Sequence, residues 1–370
     1  MRARNSQLLC SKQLNLKLES NDSNPSFPDL KSDIPVQHSA PKAVEEDTRL
    51  SVIRKTFIME WENQTFSPDF ILMGIFSHTP SHIFLFSLVL GIFTVALLAN
   101  IIMVLLIYLD TRLHIPMYFL LSQLSLMDLM LICTTVPKMA CNYLSGRKTI
   151  SVAGCETQIF LYVSLLGAEC FLLAVMAYDR YVAICYPLQY PNLMNRKLCG
   201  LMAASSWTLG VFDGIVEVAA TLSFSYCGSR EISQFFCDVP ALLRLSCTDT
   251  STFETLIFIC CVVMLLFPLS LIIISYTRVI ITVIRMSSGE GRHKAVTTCT
   301  SHLSVVGMYY GAAMFIYMRP TSNRSPAQDK TVSTFYTILT PMLNPLIYSL
   351  RNKDVAKAFS KAVGKEKSRE

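Results

Sequence analysis

The sequence predicts an all-α membrane protein whose core is a bundle of seven transmembrane helices, and three observations support this prediction. Of its 370 residues, 52% are hydrophobic and only 16% are charged, whereas a soluble domain carries about 25% charged residues. The apolar residues also fall into blocks, most of them near the roughly 20 residues that a spanning helix needs. The seven blocks are residues 83–108, 117–141, 159–183, 198–222, 253–284, 303–318 and 332–350.

The distribution of basic residues predicts the orientation of the chain in the membrane. If seven spans are correct, alternate loops and the C-terminal tail share one basic side, which the positive-inside rule places in the cytoplasm. The basic residues on this side are Arg112, Arg196, Lys197, Arg278, Arg285, Arg292, Lys294, Arg351, Lys353, Lys357 and Lys361. The N-terminus is then extracellular. Because the net charge of +6 is explained in this way, a nucleic-acid partner is not predicted.

The two ends of the chain differ in composition from the predicted seven-helix domain, residues 83–350. Residues 1–58 are polar and lack the apolar core of a signal peptide, so we expect a disordered extension, with Met59 as an alternative start. Residues 59–82 form the extracellular N-terminus, where Asn63 begins a glycosylation sequon. Residues 351–370 form a cytoplasmic tail, in which apolar residues at helical spacing predict a short amphipathic eighth helix at the inner membrane surface.

Four cysteines lie on the predicted outer side, where the environment is oxidising. Cys155 precedes the third span, and Cys227, Cys237 and Cys247 lie in the long loop between the fourth and fifth spans. Four such cysteines allow three pairings, and the spacing does not choose among them. The sequence shows no Gly-rich phosphate loop, metal-ligand cluster or nucleophile elbow, so we do not expect an enzyme.

Four polar residues lie deep inside predicted spans, namely Asn100, Asp128, Glu169 and Asn344. An ionisable group in the middle of a span costs at least ~2.5 kcal/mol, so it is a functional candidate. Two buried carboxylates near each other would hold a cation such as Na⁺ or share a proton. The alternative is a polar cluster that only holds the helices together.

A further ion pair is predicted where the third span meets the cytoplasm. Asp179 and Arg180 can pair with each other there or extend toward water. Such a pair can act as a latch, because opening it frees an arginine at the inner face. Pro116, Pro268 and Pro345 each remove a backbone hydrogen bond and predict bends in helices that move.

Five motifs occur in a fixed order along the chain. They are PMYFLLSQLSLMDL (residues 116–129), MAYDRYVAICYPLQY (176–190), Ser275-Tyr276, KAVTTCTSHLSVV (294–306) and PMLNPLIYSLRN (341–352). Together they resemble the odorant (olfactory) receptors, a large group within the rhodopsin-like G-protein-coupled receptors. The resemblance covers about residues 66–361, and the continuation of Asp-Arg-Tyr into YVAICYPL makes it specific.

The resemblance implies roles for individual residues. It implies disulfides between Cys155 and Cys237 and between Cys227 and Cys247. It also implies that Asp128, Glu169 and Asn100 form a polar or cation site. The implied activation switch comprises Asp179, Arg180, Tyr276, Tyr310, Asn344, Pro345 and Tyr348. Two features depart from the family pattern, since Tyr309 stands where phenylalanine is common and the N-terminal extension is unusually long.

The resemblance also implies a ligand pocket in the outer half of the bundle, under the long loop. The matching positions are Tyr162, Val163, Leu166, Gly167, Cys260, Cys261, Met264, Ala313, Met314, Tyr317 and Thr337. We expect this cavity to be apolar with few hydroxyls, and its third-helix positions include no acidic residue that would pair with an amine. It therefore suits a small, neutral volatile.

One alternative concerns sulfur in this predicted pocket. Cys260 and Met264 are spaced i and i+4 on one helical face, so they could present soft ligands to Cu(I) or to a thiol odorant. Ordinary apolar packing of these side chains is the favoured interpretation, and no firm metal site is predicted.

The leading functional hypothesis is a plasma-membrane receptor in which an odorant shifts a conformational equilibrium. Resemblance implies that its partner is an olfactory-type stimulatory heterotrimeric G protein and that activation raises cAMP. A second hypothesis is a transporter or proton pathway that uses Asp128 and Glu169, although corresponding halves of the chain are not found. A third is a related receptor for a peptide or lipid outside olfaction.

Overall fold

The computed structural model of the chain describes residues 69–76, 79–286, 289–319, 325–351 and 353–362. The extension at residues 1–58, the alternative start at Met59 and the sequon at Asn63 lie outside this range. Those predictions therefore remain predictions.

The described part of the chain is mostly helical, as the sequence predicts. The long helices are α1 (Pro80–Leu109), α2 (Pro116–Ser145), α3 (Val152–Cys185), α4 (Arg196–Thr221), α5 (Ser251–Arg285), α6 (Glu290–Tyr317) and α7 (residues 326–351), followed by a short helix α8 (Lys353–Ala362). Short helical segments also occur at Thr111–Leu113, Tyr190–Leu193 and Val239–Leu243. Wide turns of π-helix interrupt α5 at Val262–Leu266 and α7 at Phe335–Leu339.

Five of the described helices, α1 to α5, are long and apolar enough to cross a membrane. The helix α6 begins with a polar stretch that includes Arg292 and His293, so its apolar part is short. The helix α7 is divided by its π-helical turn into segments of 9, 5 and 12 residues. By length and hydropathy, α1 to α5 are therefore candidate spans.

Local sequence signals explain where several helices begin and end. Proline occupies the first turn of α1, α2 and α7, where its missing N–H is not needed. Pro116 therefore begins α2 and does not produce the bend that the sequence predicts from it. The side chain of Ser151 accepts a hydrogen bond from the Gly154 N–H at the start of α3, and Asn195 caps α4 through the Leu198 N–H. Gly146 ends α2 with a φ of 68°, a left-handed conformation that favours glycine.

The helix α3 is the central element of the bundle. In the most apolar stretch of α3, 78% of the residues are buried. In the corresponding stretches of α1, α4 and α5, only 28% are buried. The outer helices instead expose large apolar side chains, such as Phe84, Phe212 and Ile273. Such exposure suits a lipid environment, whereas a water-soluble surface would not present so many of these residues.

The closest helix packing lies between α3 and α4 and depends on two glycines. Gly210 and Gly214 form a Gly-x-x-x-Gly pair on the face of α4 that meets α3. A Cβ atom on Gly210 would overlap the Ser164 carbonyl oxygen and lie 2.5 Å from the Ala168 backbone nitrogen. Only glycine allows the two backbones to approach this closely.

The outer end of the described bundle is tied together by a small sheet and two disulfides. Strand β1 (Phe70–Leu72) pairs antiparallel with β2 (Thr149–Ile150) and parallel with β3 (Glu231–Ile232). Disulfides join Cys155 to Cys237 and Cys227 to Cys247, the pairing that the family resemblance implies. These links fix the long loop over the top of α3.

Candidate functional site

The candidate ligand site is a cavity of about 40 Å³ among α3, α4 and α5, in the outer half of the bundle. Val239 of the long loop covers it and Tyr317 of α6 closes one side. The lining residues are Val163, Leu166, Gly167, Cys170, Asp213, Glu217, Val239, Ile257, Cys260, Cys261, Met264, Leu265 and Tyr317. A volume of this size holds a few waters, so a larger ligand must displace side chains to enter.

Seven of the eleven predicted pocket residues line this cavity. They are Val163, Leu166, Gly167, Cys260, Cys261, Met264 and Tyr317. The other four, Tyr162, Ala313, Met314 and Thr337, do not. The ring of Tyr162 packs against Phe236 and Tyr336, and Tyr336 packs in turn against Tyr309. These buried rings fill the space between α3, α6 and α7, so the cavity lies closer to α4 and α5 than the sequence predicts.

Two carboxylates stand in the wall of this cavity, which the sequence predicts to be apolar with few hydroxyls. Asp213 and Glu217 of α4 line it, and their residues are only 9% and 5% exposed. They lie one helical turn apart, on the face of α4 that Gly210 and Gly214 bring against α3. Both residues could have been selected from the sequence as functional candidates. They are carboxylates within an apolar block, which is the criterion that selected Asp128 and Glu169.

The polar residues predicted in the middle of the spans take partners on α7. Asn344 donates through its Nδ2 to both carboxylate oxygens of Asp128, at 3.1 Å each. Asn100 donates to the Pro341 carbonyl oxygen at 2.7 Å, which places α1 against the proline-containing part of α7. All of these side chains are buried. The structure thus joins α1, α2 and α7 through Asn100, Asp128 and Asn344.

Glu169 has a separate set of contacts, nearer the ligand cavity. Its Oε2 accepts a hydrogen bond from the Tyr336 hydroxyl at 3.2 Å, within the π-helical turn of α7. The neighbouring residue Cys170 lines the cavity, and its carbonyl oxygen accepts a hydrogen bond from Tyr310 at 3.0 Å. The Tyr309 hydroxyl donates to the carbonyl oxygen of Leu166. Two tyrosines of α6 therefore contact the same stretch of α3 that borders the cavity.

The predicted latch is closed at the inner end of α3. The Arg180 guanidinium lies 2.5 Å from the Asp179 carboxylate, which also accepts a hydrogen bond from the Tyr190 hydroxyl at 2.7 Å. Tyr190 belongs to the loop after α3, and burial together with the Asp179 charge raises the pKa of its phenol. The hydroxyl therefore stays protonated and serves as a donor to Asp179.

Of the other predicted switch residues, Tyr348 and Tyr276 lie near Arg180, the latter through its partner His302, whereas Tyr310 and Asn344 lie deeper in the bundle, at Cys170 and Asp128. A small cavity of about 30 Å³ is lined by Arg180, His302 and Tyr348, among others. The Tyr348 hydroxyl is buried and has no hydrogen-bond partner among the described residues. Tyr276 of α5 bonds instead to His302 Nδ1 of α6 at 2.9 Å. The structure thus surrounds Arg180 with elements of α3, α6 and α7, and Pro345 lies within the α7 segment that carries Tyr348.

Comparison with known proteins agrees with this architecture. A family model described as olfactory receptor matches residues 88–366. Olfactory receptor 2M2 of Homo sapiens is 73% identical over 310 residues, which cover 84% of this chain and 89% of that protein. Olfactory receptor 2M3 of Homo sapiens is 72% identical over 312 residues, covering 84% and 100%. The chain belongs to the olfactory receptor family. Olfactory receptor 2V1 of Mus musculus is 59% identical over 303 residues, covering 82% and 96%.

Membership in the olfactory receptor family shows which of several predictions are correct. This olfactory receptor is a G-protein-coupled receptor of the plasma membrane with several spans, and it is not an enzyme. The transporter hypothesis is set aside by the same finding. Asp128 and Glu169 of this receptor therefore belong to a signalling helix bundle, in which each contacts α7.

Proposed function

We propose that this olfactory receptor binds small, mostly neutral volatile odorants in the cavity among α3, α4 and α5. The observation that carries this proposal is the cavity itself, whose lining is apolar apart from the thiols, the Tyr317 hydroxyl and two α4 carboxylates. Its described lining includes no lysine, arginine or histidine, so carboxylic acid odorants find no cationic partner. The flexible side chain of Met264 can move aside to admit a ligand.

We further propose seven spans, with α6 and α7 completing the set. Burial of polar groups on these helices against α2 and α3, such as Asn344 on Asp128, satisfies them inside the bundle. The N-terminus is then extracellular, which places the two disulfides in an oxidising environment. In α8, Val355 and Ala358 are buried and Phe359 is exposed, a pattern that suits a helix lying on the lipid of the inner membrane surface.

Activation follows from the contacts between the cavity and α6. An odorant that enlarges the cavity moves two segments. One is the π-helical turn of α5 around Met264, and the other is the stretch of α3 whose carbonyl oxygens accept hydrogen bonds from Tyr309 and Tyr310. A ligand that fits this shifted arrangement better increases its population. Movement of α6 at the inner end would separate it from Arg180 and open a surface for a G protein. The proposed partner is an olfactory-type stimulatory G protein, and the proposed response is a rise in cAMP.

The polar cluster around Asp128 and Glu169 is the proposed regulator of this equilibrium. Three buried oxygens there, Asn100 Oδ1, Glu169 Oε1 and Asn344 Oδ1, have no hydrogen-bond partner among the described residues. Oxygen ligands of this kind suit a hard cation, so Na⁺ is the proposed occupant. A rearrangement of α7 during activation would disperse these ligands and release the ion.

The pocket assignment predicts different effects for two neighbouring residues of α5. Met264→Ala removes a side chain that lines the cavity, whereas Val263 is 51% exposed toward lipid. We expect Met264→Ala to raise the EC50 of activating odorants roughly 10-fold or more, because contacts inside a ligand pocket are lost. Val263→Ala should leave the EC50 unchanged. The measurement is cAMP accumulation at matched surface display, against a panel of volatile odorants. Equal EC50 values for both variants would refute the pocket assignment.

A further inference from the structure

A second cluster of potential ligand atoms lies in the wall of the cavity. The carboxylate oxygens of Asp213 and Glu217 and the Sγ of Cys260 all lie within 4.8 Å of one another. The two carboxylates come from α4 at positions i and i+4, so they point in the same direction from one helical face. Cys260 comes from α5, at the end of the segment Ser251–Cys261 that precedes the π-helical turn. Two helices therefore present three ligand atoms to one point.

The charge of this cluster is not balanced by the protein around it. Glu217 is only 5% exposed, and its Oε2 is sealed from solvent and has no hydrogen-bond partner among the described residues. The described residues that line the cavity include no lysine, arginine or histidine. A buried carboxylate without a partner is strongly destabilising, and it is retained only when a cation or a proton neutralises it. The unpartnered oxygen thus points to a missing positive charge.

We propose that Asp213, Glu217 and Cys260 bind a single Zn²⁺ ion in the cavity wall. Zinc is bound by carboxylate oxygens at about 2.0 to 2.2 Å and by cysteine thiolates at about 2.3 Å, so ligand atoms within 4.8 Å of one another need to move only slightly inward. The mixture of hard oxygen and soft sulfur suits this borderline cation better than Na⁺ or Ca²⁺. Binding converts the Cys260 thiol to a thiolate, and its proton passes to solvent.

The geometry leaves the ion incompletely coordinated by protein. Three protein ligands occupy three positions of a tetrahedral zinc site, and the fourth faces the cavity that Met264 and Leu166 also line. A neutral odorant with a lone pair could take this position in place of water. This consequence rests on the proposed function of the cavity, whereas the ion site itself does not depend on any odorant.

The test uses the full chain, purified in lipid nanodiscs, with metal ions alone as probes. We expect it to bind one equivalent of Zn²⁺ at the site, in competition with a chelator of known affinity. Co²⁺ should give a visible spectrum typical of tetrahedral coordination and a thiolate charge-transfer band. Glu217→Gln and Cys260→Ser keep the size of each side chain, and each should weaken Zn²⁺ binding by on the order of 100-fold. Cys260→Ser should also abolish the charge-transfer band.

Cys261→Ser is the matched control, because Cys261 lines the same cavity but does not belong to the ligand cluster. It should retain both the Zn²⁺ affinity and the cobalt spectrum. Thermal unfolding measured without metal verifies that each variant is folded. Equal Zn²⁺ affinity in the unaltered chain, Glu217→Gln and Cys260→Ser would overturn the proposal, as would the absence of any bound Zn²⁺ in the folded, unaltered chain. Neither result would affect odorant-driven signalling, which is measured separately.

Discussion

Replacing Arg180 with alanine should abolish odorant-driven activation while leaving the protein at the cell surface. In the structure Arg180 is held by Asp179 at 2.5 Å, and it lines a small cavity with Tyr348, whose hydroxyl has no hydrogen-bond partner among the described residues. In the activation that we propose, it is the charged group that becomes available at the inner face when α6 moves away. Loss of this group should reduce the maximal odorant response at least about tenfold, which lies within the range typical of coupling between sites.

The response is measured as cAMP accumulation in cells whose surface receptor is stained and matched. Arg112→Ala is the control, because Arg112 is an exposed arginine whose partner is Asp110 in the loop after α1. It should respond like the unaltered receptor. A normal odorant response from Arg180→Ala at equal surface display would show that the latch at Asp179 does not mediate coupling.

Replacing Gly210 with alanine should destabilise the receptor strongly, because the added methyl group has no space against α3. The new Cβ would overlap the Ser164 carbonyl oxygen and lie 2.8 Å from the Ala168 Cβ. The Ser164 carbonyl oxygen and the Ala168 nitrogen, which the new Cβ would also approach, belong to the backbone of α3, so they cannot move without separating the two helices. Overpacking of this kind costs typically about 1 to 3 kcal/mol. We expect a lower unfolding temperature and reduced surface display.

Gly200 provides the control on the same helix. A Cβ there meets no atom within 4 Å, so Gly200→Ala should be neutral or slightly stabilising, because alanine favours the helix. The unfolding temperature of both purified variants is measured by intrinsic fluorescence. If Gly210→Ala unfolds at the same temperature as Gly200→Ala, the close packing of α3 on α4 is not as described.

Much of the helical framework could be predicted from the sequence, because a membrane restricts the chain strongly. Apolar blocks must be helical to satisfy their backbone groups, and α1 to α5 occur where five of these blocks lie. The buried polar residues were also evident, since Asp128 and Asn344 stand out in apolar surroundings. Their direct contact was not predictable, because it depends on how α2 and α7 pack.

The position of the cavity could not be predicted from the sequence. It is displaced toward α4 because the rings of Tyr162, Tyr309 and Tyr336 fill the space beside α7, and ring packing is a property of the assembled bundle. The π-helical turn in α5 lies just before Pro268, from which the sequence predicts a bend, but the i to i+5 hydrogen bonding of this turn was not predicted. Asp213 and Glu217 could have been found, because the sequence shows both carboxylates within an apolar block.

The most direct test of odorant-driven signalling is nucleotide exchange by a purified stimulatory G protein on the receptor in lipid nanodiscs. Volatile odorants that activate cells are added one at a time, and the rate of GTP binding is measured with and without each odorant. We expect a neutral volatile to accelerate exchange, and the acceleration to disappear when the receptor is omitted. Cooperative thermal unfolding verifies that the receptor in the nanodiscs is folded. If no odorant changes the exchange rate of this folded receptor, the proposed function is contradicted.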